Sequence, residues 1–203
     1  RYDEALARCK TALSINTYDG DVNYLYGLCN RALGNNTDAK DGFSIASYSP
    51  GVRSAAYEKL AEMFLIDKNW AKAEHYALKS KEFNGMNLTA DHVLMVVYRK
   101  TDRPEKAKAL IESLLEDLPL YHAARFEQLY LGEGSGHPID DFQSLIRNEL
   151  PFETYMELSE WYESVGCTEE ALSLLSCVGS YPVALYKQAY LLHRTGNEDE
   201  SRQ

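Results

Sequence analysis

Apolar side chains recur along this chain at helical spacing, three or four residues apart, and nowhere alternate as a half-buried strand requires. The pattern also repeats on a longer scale. Ala5, Ala39, Ala73 and Ala107 sit in the similar phrases Tyr-Asp-Glu-Ala-Leu, Asn-Thr-Asp-Ala-Lys, Trp-Ala-Lys-Ala-Glu and Pro-Glu-Lys-Ala-Lys, at equal intervals of about 34 residues. Ahead of each alanine helix runs a second helical phrase with a small residue and then an aromatic. It reads Leu60-Ala61 with Phe64, Leu94-Met95 with Tyr98, and Leu158-Ser159 with Tyr162, while Tyr26-Gly27 begins it and Asn30 takes the aromatic's place. Gly34 and Gly166 stand where one helix should turn into the next, because a left-handed residue ends a helix at little cost. Pro119 closes one repeat, and Pro50 lies near the equivalent place in another.

These spacings predict a half repeat at 1–17 and repeats near 20–53, 54–87 and 88–121. A divergent unit at 122–150, a further repeat at 151–181 and a last helix near 183–195 complete a single array. The register loosens after Ala107: Asp141 holds the alanine position, and Ala171 falls just short of two full intervals. Gly132, Glu133, Gly134, Ser135 and Gly136 predict a longer turn inside the divergent unit, followed by a helical stripe of Ile139, Phe142, Leu145 and Ile146. A helix pair cannot bury its apolar face alone, so neighbouring pairs stack and share a continuous core. The fold expected is therefore all-α, a right-handed superhelical array of antiparallel helix pairs. Ala39, Ala73, Ala107 and Ala171 should lie at close crossings, with the aromatics filling wider gaps. The first and last helices lack polar caps, so Leu13 and Leu191 are expected to be exposed. The chain begins at Arg1 inside a helical phrase and ends where another helix is due, so it reads as part of a longer protein. A cytoplasmic location is favoured, and a periplasmic one is left open because any signal peptide would lie upstream.

This period and these residues resemble the tetratricopeptide repeat family over most of the chain. Longer phrases are similar to a narrower group. Leu13-Ser14-Ile15-Asn16-Thr17-Tyr18-Asp19, Ala39-Lys40-Asp41-Gly42-Phe43, His122-Ala123-Ala124-Arg125-Phe126-Glu127 and Leu150-Pro151-Phe152-Glu153-Thr154-Tyr155 resemble large bacterial proteins in which a repeat array follows a mutarotase-like β-sandwich domain. The resemblance implies that this chain is the C-terminal repeat region, with any sugar chemistry elsewhere and no catalytic residues carried to these positions. In tetratricopeptide arrays the first helix of each pair lines a concave groove. The family's exposed positions fall here on Asp21, Tyr24, Leu28 and Arg31, then Glu58, Glu62 and Leu65, then His92, Val96 and Arg99. They continue on Phe126 and Tyr130, then Glu153, Met156, Glu160 and Glu163, then Tyr186, Tyr190 and His193. The family's chaperone-tail binders clamp a carboxylate with Lys and Asn at two of these places. This chain offers Tyr24 and Leu28, Glu58 and Glu62, or His92 and Val96 there, so it lacks that clamp.

Composition narrows the function further. The 203 residues carry a formal net charge of −10, which disfavours a nucleic-acid backbone or an anionic membrane as partner. No apolar run approaches the roughly 20 residues that a membrane-crossing helix needs. Between Asn148 and Tyr186 there is no Lys, Arg or His, while Glu149, Glu153, Glu157, Glu160, Glu163, Glu169 and Glu170 contribute −7. That stretch reads first as a solvated face and second as a surface for a cationic segment. Cys9, Cys29, Cys167 and Cys177 show no CxxC spacing and no His in a zinc pattern, so they read as small core fillers, with a Cys9–Cys29 disulfide left open. His75, His92, His122, His137 and His193 are scattered, and no phosphate loop, metal motif or nucleophile elbow is present. The expectation is a non-catalytic protein-interaction scaffold without cofactor or metal, binding a protein, a peptide or its own parent domain through the concave face. A carbohydrate-binding array using Tyr24, Phe126, Tyr130, Tyr186 and Tyr190, or an accessory region of a carbohydrate-active enzyme, is the alternative.

Overall fold

Local signals start and stop each helix. Asp19, Asn69 and Asn87 place side-chain oxygens on the backbone N–H of Val22, Lys72 and Ala90 at 3.0, 3.2 and 3.1 Å, satisfying donors that a first turn leaves open. Pro151 opens another helix at its first turn, where the missing N–H costs nothing. The computed structural model describes residues 1–132, 142–144, 146 and 150–195. Among them are eleven helices and no strand. The expected turn at Glu133, Gly134, Ser135 and Gly136 lies outside the described residues, as do Ile139, Asp141, Leu145, His137 and Glu149.

Contacts group the chain into two compact units, residues 1–103 and 104–203. The repeat pattern runs through this division to Ala107. The first unit holds α1 (Tyr2–Ile15), α2 (Gly20–Ala32), α3 (Asn36–Ala46), α4 (Arg53–Ile66), α5 (Trp70–Phe83) and α6 (Leu88–Lys100). Each helix packs on the next, and short turns make the neighbours antiparallel. Its core gathers Ala39, Phe43, Leu60 and Met63, with Tyr57, Phe64 and Tyr76 packed against them. Phe64 and Tyr76 stack at 5.4 Å and Tyr57 and Tyr76 at 6.0 Å, filling the gap that α4 and α5 leave between them. The second unit holds α7 (Pro104–Asp117), α8 (His122–Tyr130), α9 (Pro151–Ser164), α10 (Thr168–Ser176) and α11 (Pro182–Thr195).

Ala39, Ala73, Ala107 and Ala171 are each at most 1% exposed, the burial expected of residues where helices cross closely. Glycine takes this role to its limit on α2 and α3. A Cβ on Gly42 would stand 2.8 Å from the Asn23 carbonyl oxygen, and one on Gly27 would stand 2.6 Å from the Phe43 ring. Two expectations about the end helices need correction. Leu191 is 2% exposed, because it shares with Ala184 the face of α11 turned to α10, and Leu13 is half-buried. The large apolar residues exposed on these helices are Tyr2 and Ile15 on α1 and Val183, Leu185, Tyr186 and Tyr190 on α11.

The turn inside each helix pair follows one plan. Gly34, Gly132 and Gly166 have φ of 79°, and Lys68 and Asp102, at the same place in their repeats, have φ of 55° and 54°. After four of these turns the next N–H reaches back across a closing loop: Asn35 to the Asn30 carbonyl, Asn69 to Phe64, Arg103 to Tyr98 and Cys167 to Tyr162, at 2.8–2.9 Å. A side chain in this left-handed region costs about 1–2 kcal/mol, and glycine escapes most of it. Lys68→Gly and Asp102→Gly should therefore each stabilise the first unit by about 1 kcal/mol in urea unfolding. An unchanged or lowered midpoint in both would remove the left-handed strain from these turns.

The two units differ in charge. Residues 1–103 carry 14 Lys and Arg against 13 Asp and Glu, a net +1, whereas residues 104–203 carry 7 against 18, a net −11. No helix among the described residues is long and apolar enough to cross a membrane.

Candidate interaction surface

The first helices of successive pairs in the first unit are α2, α4 and α6. Side chains that the repeat pattern assigns to an open groove engage one another there. Arg31 on α2 pairs with the Glu62 carboxylate on α4. Lys59 reaches the same carboxylate at 3.1 Å and Glu58 at 2.8 Å. Asn87, while capping α6 with its oxygen, donates its amide to Glu58 at 2.9 Å and to the Ser80 hydroxyl at 2.9 Å. Burial alone would raise the Glu62 carboxyl, but Lys59 and Arg31 outweigh it and hold it below the ordinary range. Tyr24 lies half-buried beside this group, its phenol raised by burial. The charges thus neutralise one another across two helix pairs and fix the register of α2 on α4.

Several expected groove residues are not on a surface at all. Glu62 is 2% exposed, His92 4%, Phe126 2% and Met156 9%, and Leu65 and Val96 are buried too. The reason is geometric: packing between neighbouring helices covers six of the nineteen positions that the repeat pattern assigns to an open groove. His92 is held neutral by burial and then by the Arg99 charge, which bring it down to about 3. Phe126 meets Phe142 and Tyr162 edge-to-face, both at 5.4 Å. Beside them the Tyr162 hydroxyl donates to the buried Glu127 carboxylate at 2.6 Å.

Other members do face solvent. Leu28, Arg31, Glu58 and Arg99 are half-buried, Asp21 is exposed and Tyr130 is exposed. On α9 and α11 the open set is Glu153, Glu160, Tyr186, Tyr190 and His193, with Glu163 half-buried. Tyr186 is 72% exposed and Tyr190 47%. Val183, Tyr186 and Tyr190 recur at three and four residues, so they share one face of α11. The acidity of this region is partly neutralised from within. Lys187 pairs with Glu160, Arg194 pairs with Glu163 at 3.3 Å, and Arg194 also lies over the Tyr190 ring at 5.5 Å. Glu170 is not a solvated charge but is buried. Glu153, Glu157 and Glu169 remain exposed.

Lys59, Asn87, Lys187 and Arg194 are the partners that the repeat rule passes over. One signal pointed to them: Arg31 and Glu62 are 31 residues apart, and so are Glu163 and Arg194, close to one repeat, where side chains of successive first helices meet. An open depression of about 580 Å³ in the first unit is lined by Asp67, Lys68, Trp70, Glu74 and Arg103, and its Arg103 and Glu74 form a two-pronged pair at 2.8 and 2.9 Å. Among the described residues no group of three or more His, Cys, Asp and Glu side chains converges in a way that could hold a metal ion. No protein-family model matches this chain, and no curated protein is significantly similar to it.

Proposed function

We propose that this chain is a non-catalytic interaction scaffold of the tetratricopeptide type, and that α9 and α11 present the surface on which a partner segment docks. The observation that carries the reading is the pair of exposed rings Tyr186 and Tyr190 on one face of α11, beside a unit of net charge −11 whose Glu153 and Glu157 make no ion pair among the described residues. Aromatic faces and unpaired carboxylates together suit a Lys- or Arg-bearing segment, each ring contributing about 0.5–1 kcal/mol at an exposed site. That segment belongs to another protein or to a parent domain. The narrower similarity to bacterial proteins with a mutarotase-like domain makes an intramolecular partner part of this proposal.

The test is binding of a basic peptide library at low and moderate salt. Tyr186→Ala/Tyr190→Ala should weaken the best binder about tenfold, and Glu153→Gln should mainly flatten the salt dependence. If both variants bind as the parent does, this face is not the docking surface. A glycan array supplies the contrast: sugar binding lost in the double tyrosine variant, with no peptide binding, would replace the protein partner by a carbohydrate.

A further inference from the structure

Asn84 is the one asparagine of this chain that glycine follows, and it stands just past the last turn of α5. Its N–H donates to the Ser80 carbonyl at 3.0 Å, and its own carbonyl accepts from Asn87 N–H at 3.1 Å. Its side-chain Oδ1 accepts from Met86 N–H, two residues on, at 3.1 Å, so the amide lies folded along the Gly85 peptide. Asn84 and Gly85 are both exposed. Nothing stands within 4 Å of where a Cβ on Gly85 would lie, and the Gly85 N–H makes no hydrogen bond among the described residues. The two Asp-Gly pairs are packed by contrast. A Cβ would stand 2.1 Å from the Ser49 Cβ at Gly20 and 2.8 Å from the Asn23 carbonyl oxygen at Gly42.

We propose that Asn84-Gly85 is a self-modifying site, at which the turn converts the asparagine to aspartate and isoaspartate with water as co-reactant. The Gly85 nitrogen loses its proton to hydroxide and attacks the Asn84 side-chain carbonyl carbon. A new C–N bond forms there, the bond to the amide nitrogen breaks, and that nitrogen takes up a proton and leaves as ammonia. The product is a five-membered succinimide. Water then adds to one of its two carbonyl carbons and opens the ring. Opening at the former side-chain carbon gives aspartate. Opening at the former backbone carbon gives isoaspartate, whose main chain runs through the side-chain methylene. One amide and one water thus become one carboxylic acid and one ammonia. Nucleophile and carbonyl belong to one turn, so the first step is unimolecular, and a glycine at the second place leaves the approach clear.

The change reaches beyond the turn. A carboxylate appears at the negative end of the α5 dipole. Isoaspartate also lengthens the main chain inside the closure that positions Asn87. Asn87 caps α6 through Ala90 N–H and donates to Ser80 and Glu58, so the site governs how firmly α6 is held to α4 and α5.

The experiment incubates the full native chain at mildly alkaline pH, digests it, and separates aspartate from isoaspartate peptides before fragmentation by mass. The expected result is a gain of one mass unit at Asn84, at a rate that rises with pH. Asn35 and Asn69 are exposed but followed by Asn and Trp, and should convert at least about tenfold more slowly. Gly85→Ala places a methyl in open space and should slow conversion about tenfold with the fold intact. Amide exchange across α6 should quicken about tenfold in the isoaspartate form, and less in Asn84→Asp, which adds the charge without lengthening the chain. Conversion only in denaturant, or as fast at Asn35 as at Asn84, would overturn the proposal. Equal α6 exchange before and after conversion would overturn the coupling to α6.

Discussion

Phe126→Ala should lower the stability of residues 104–203 by about 3–5 kcal/mol, the cost of emptying a well-packed aromatic site. The repeat pattern assigns this residue to a groove, where its loss would weaken binding and leave the fold intact. Its actual surroundings say otherwise: the ring is 2% exposed and touches Phe142, Tyr162 and Tyr130. Those neighbours cannot close the gap easily, because Tyr162 is tied through its hydroxyl to Glu127. Trp161 stands edge-on to Tyr162 at 5.2 Å, so its fluorescence reports unfolding of this unit. Tyr186→Ala, at a ring 72% exposed, should shift the same transition by no more than about 0.5 kcal/mol. Equal urea midpoints for Phe126→Ala and the parent, together with weaker partner binding, would return Phe126 to the groove.

The second large effect is one of pH. His92 is buried and neutral in the folded chain, down at about 3, whereas an unfolded histidine titrates near 6.5. Below pH 6.5 the unfolded chain takes up a proton that the folded chain refuses. The stabilisation is therefore complete above pH 6.5 and is lost as pH falls toward 3, at about 1.4 kcal/mol per pH unit. Between pH 6.5 and 4.5 the loss should reach about 2–3 kcal/mol. Glu62, held low, adds a further loss only below its ordinary carboxylate range. Asp91, raised by burial in spite of Lys81 at 2.6 Å, works in the opposite sense, favouring the fold as its carboxyl protonates. Chemical denaturation of the parent and of His92→Gln at pH 7.5, 5.5 and 4.5 isolates the histidine. The variant should lose most of the slope, and a slope equal to the parent's would show that His92 is not the group responsible.

Both residues illustrate how the repeat rule misreads a surface. The equal interval between alanines located the helix pairs, since burial of Ala39, Ala73 and Ala107 depends on a periodicity that any single chain displays. Glycine at 34 and 166 marked two of the left-handed turns. Lys68 and Asp102 carried no such mark, because a backbone closure with good hydrogen bonds tolerates a side chain that it does not prefer. The acidic stretch was legible as composition but not as a field. Lys187 and Arg194 lie just beyond it in sequence and beside Glu160 and Glu163 in space.

The sequence alone determined that the chain is helical and which small alanines are buried. Those features follow from local hydrogen bonding and from a periodic demand for burial, and both are written into residue order. Only the tertiary structure decided which members of one helical face remain open. That depends on how near the next pair approaches, and so on side-chain volumes in the neighbouring repeat. Glu62, His92, Phe126 and Met156 were drawn into the interior by that approach, while Tyr186 and Tyr190 were left outside.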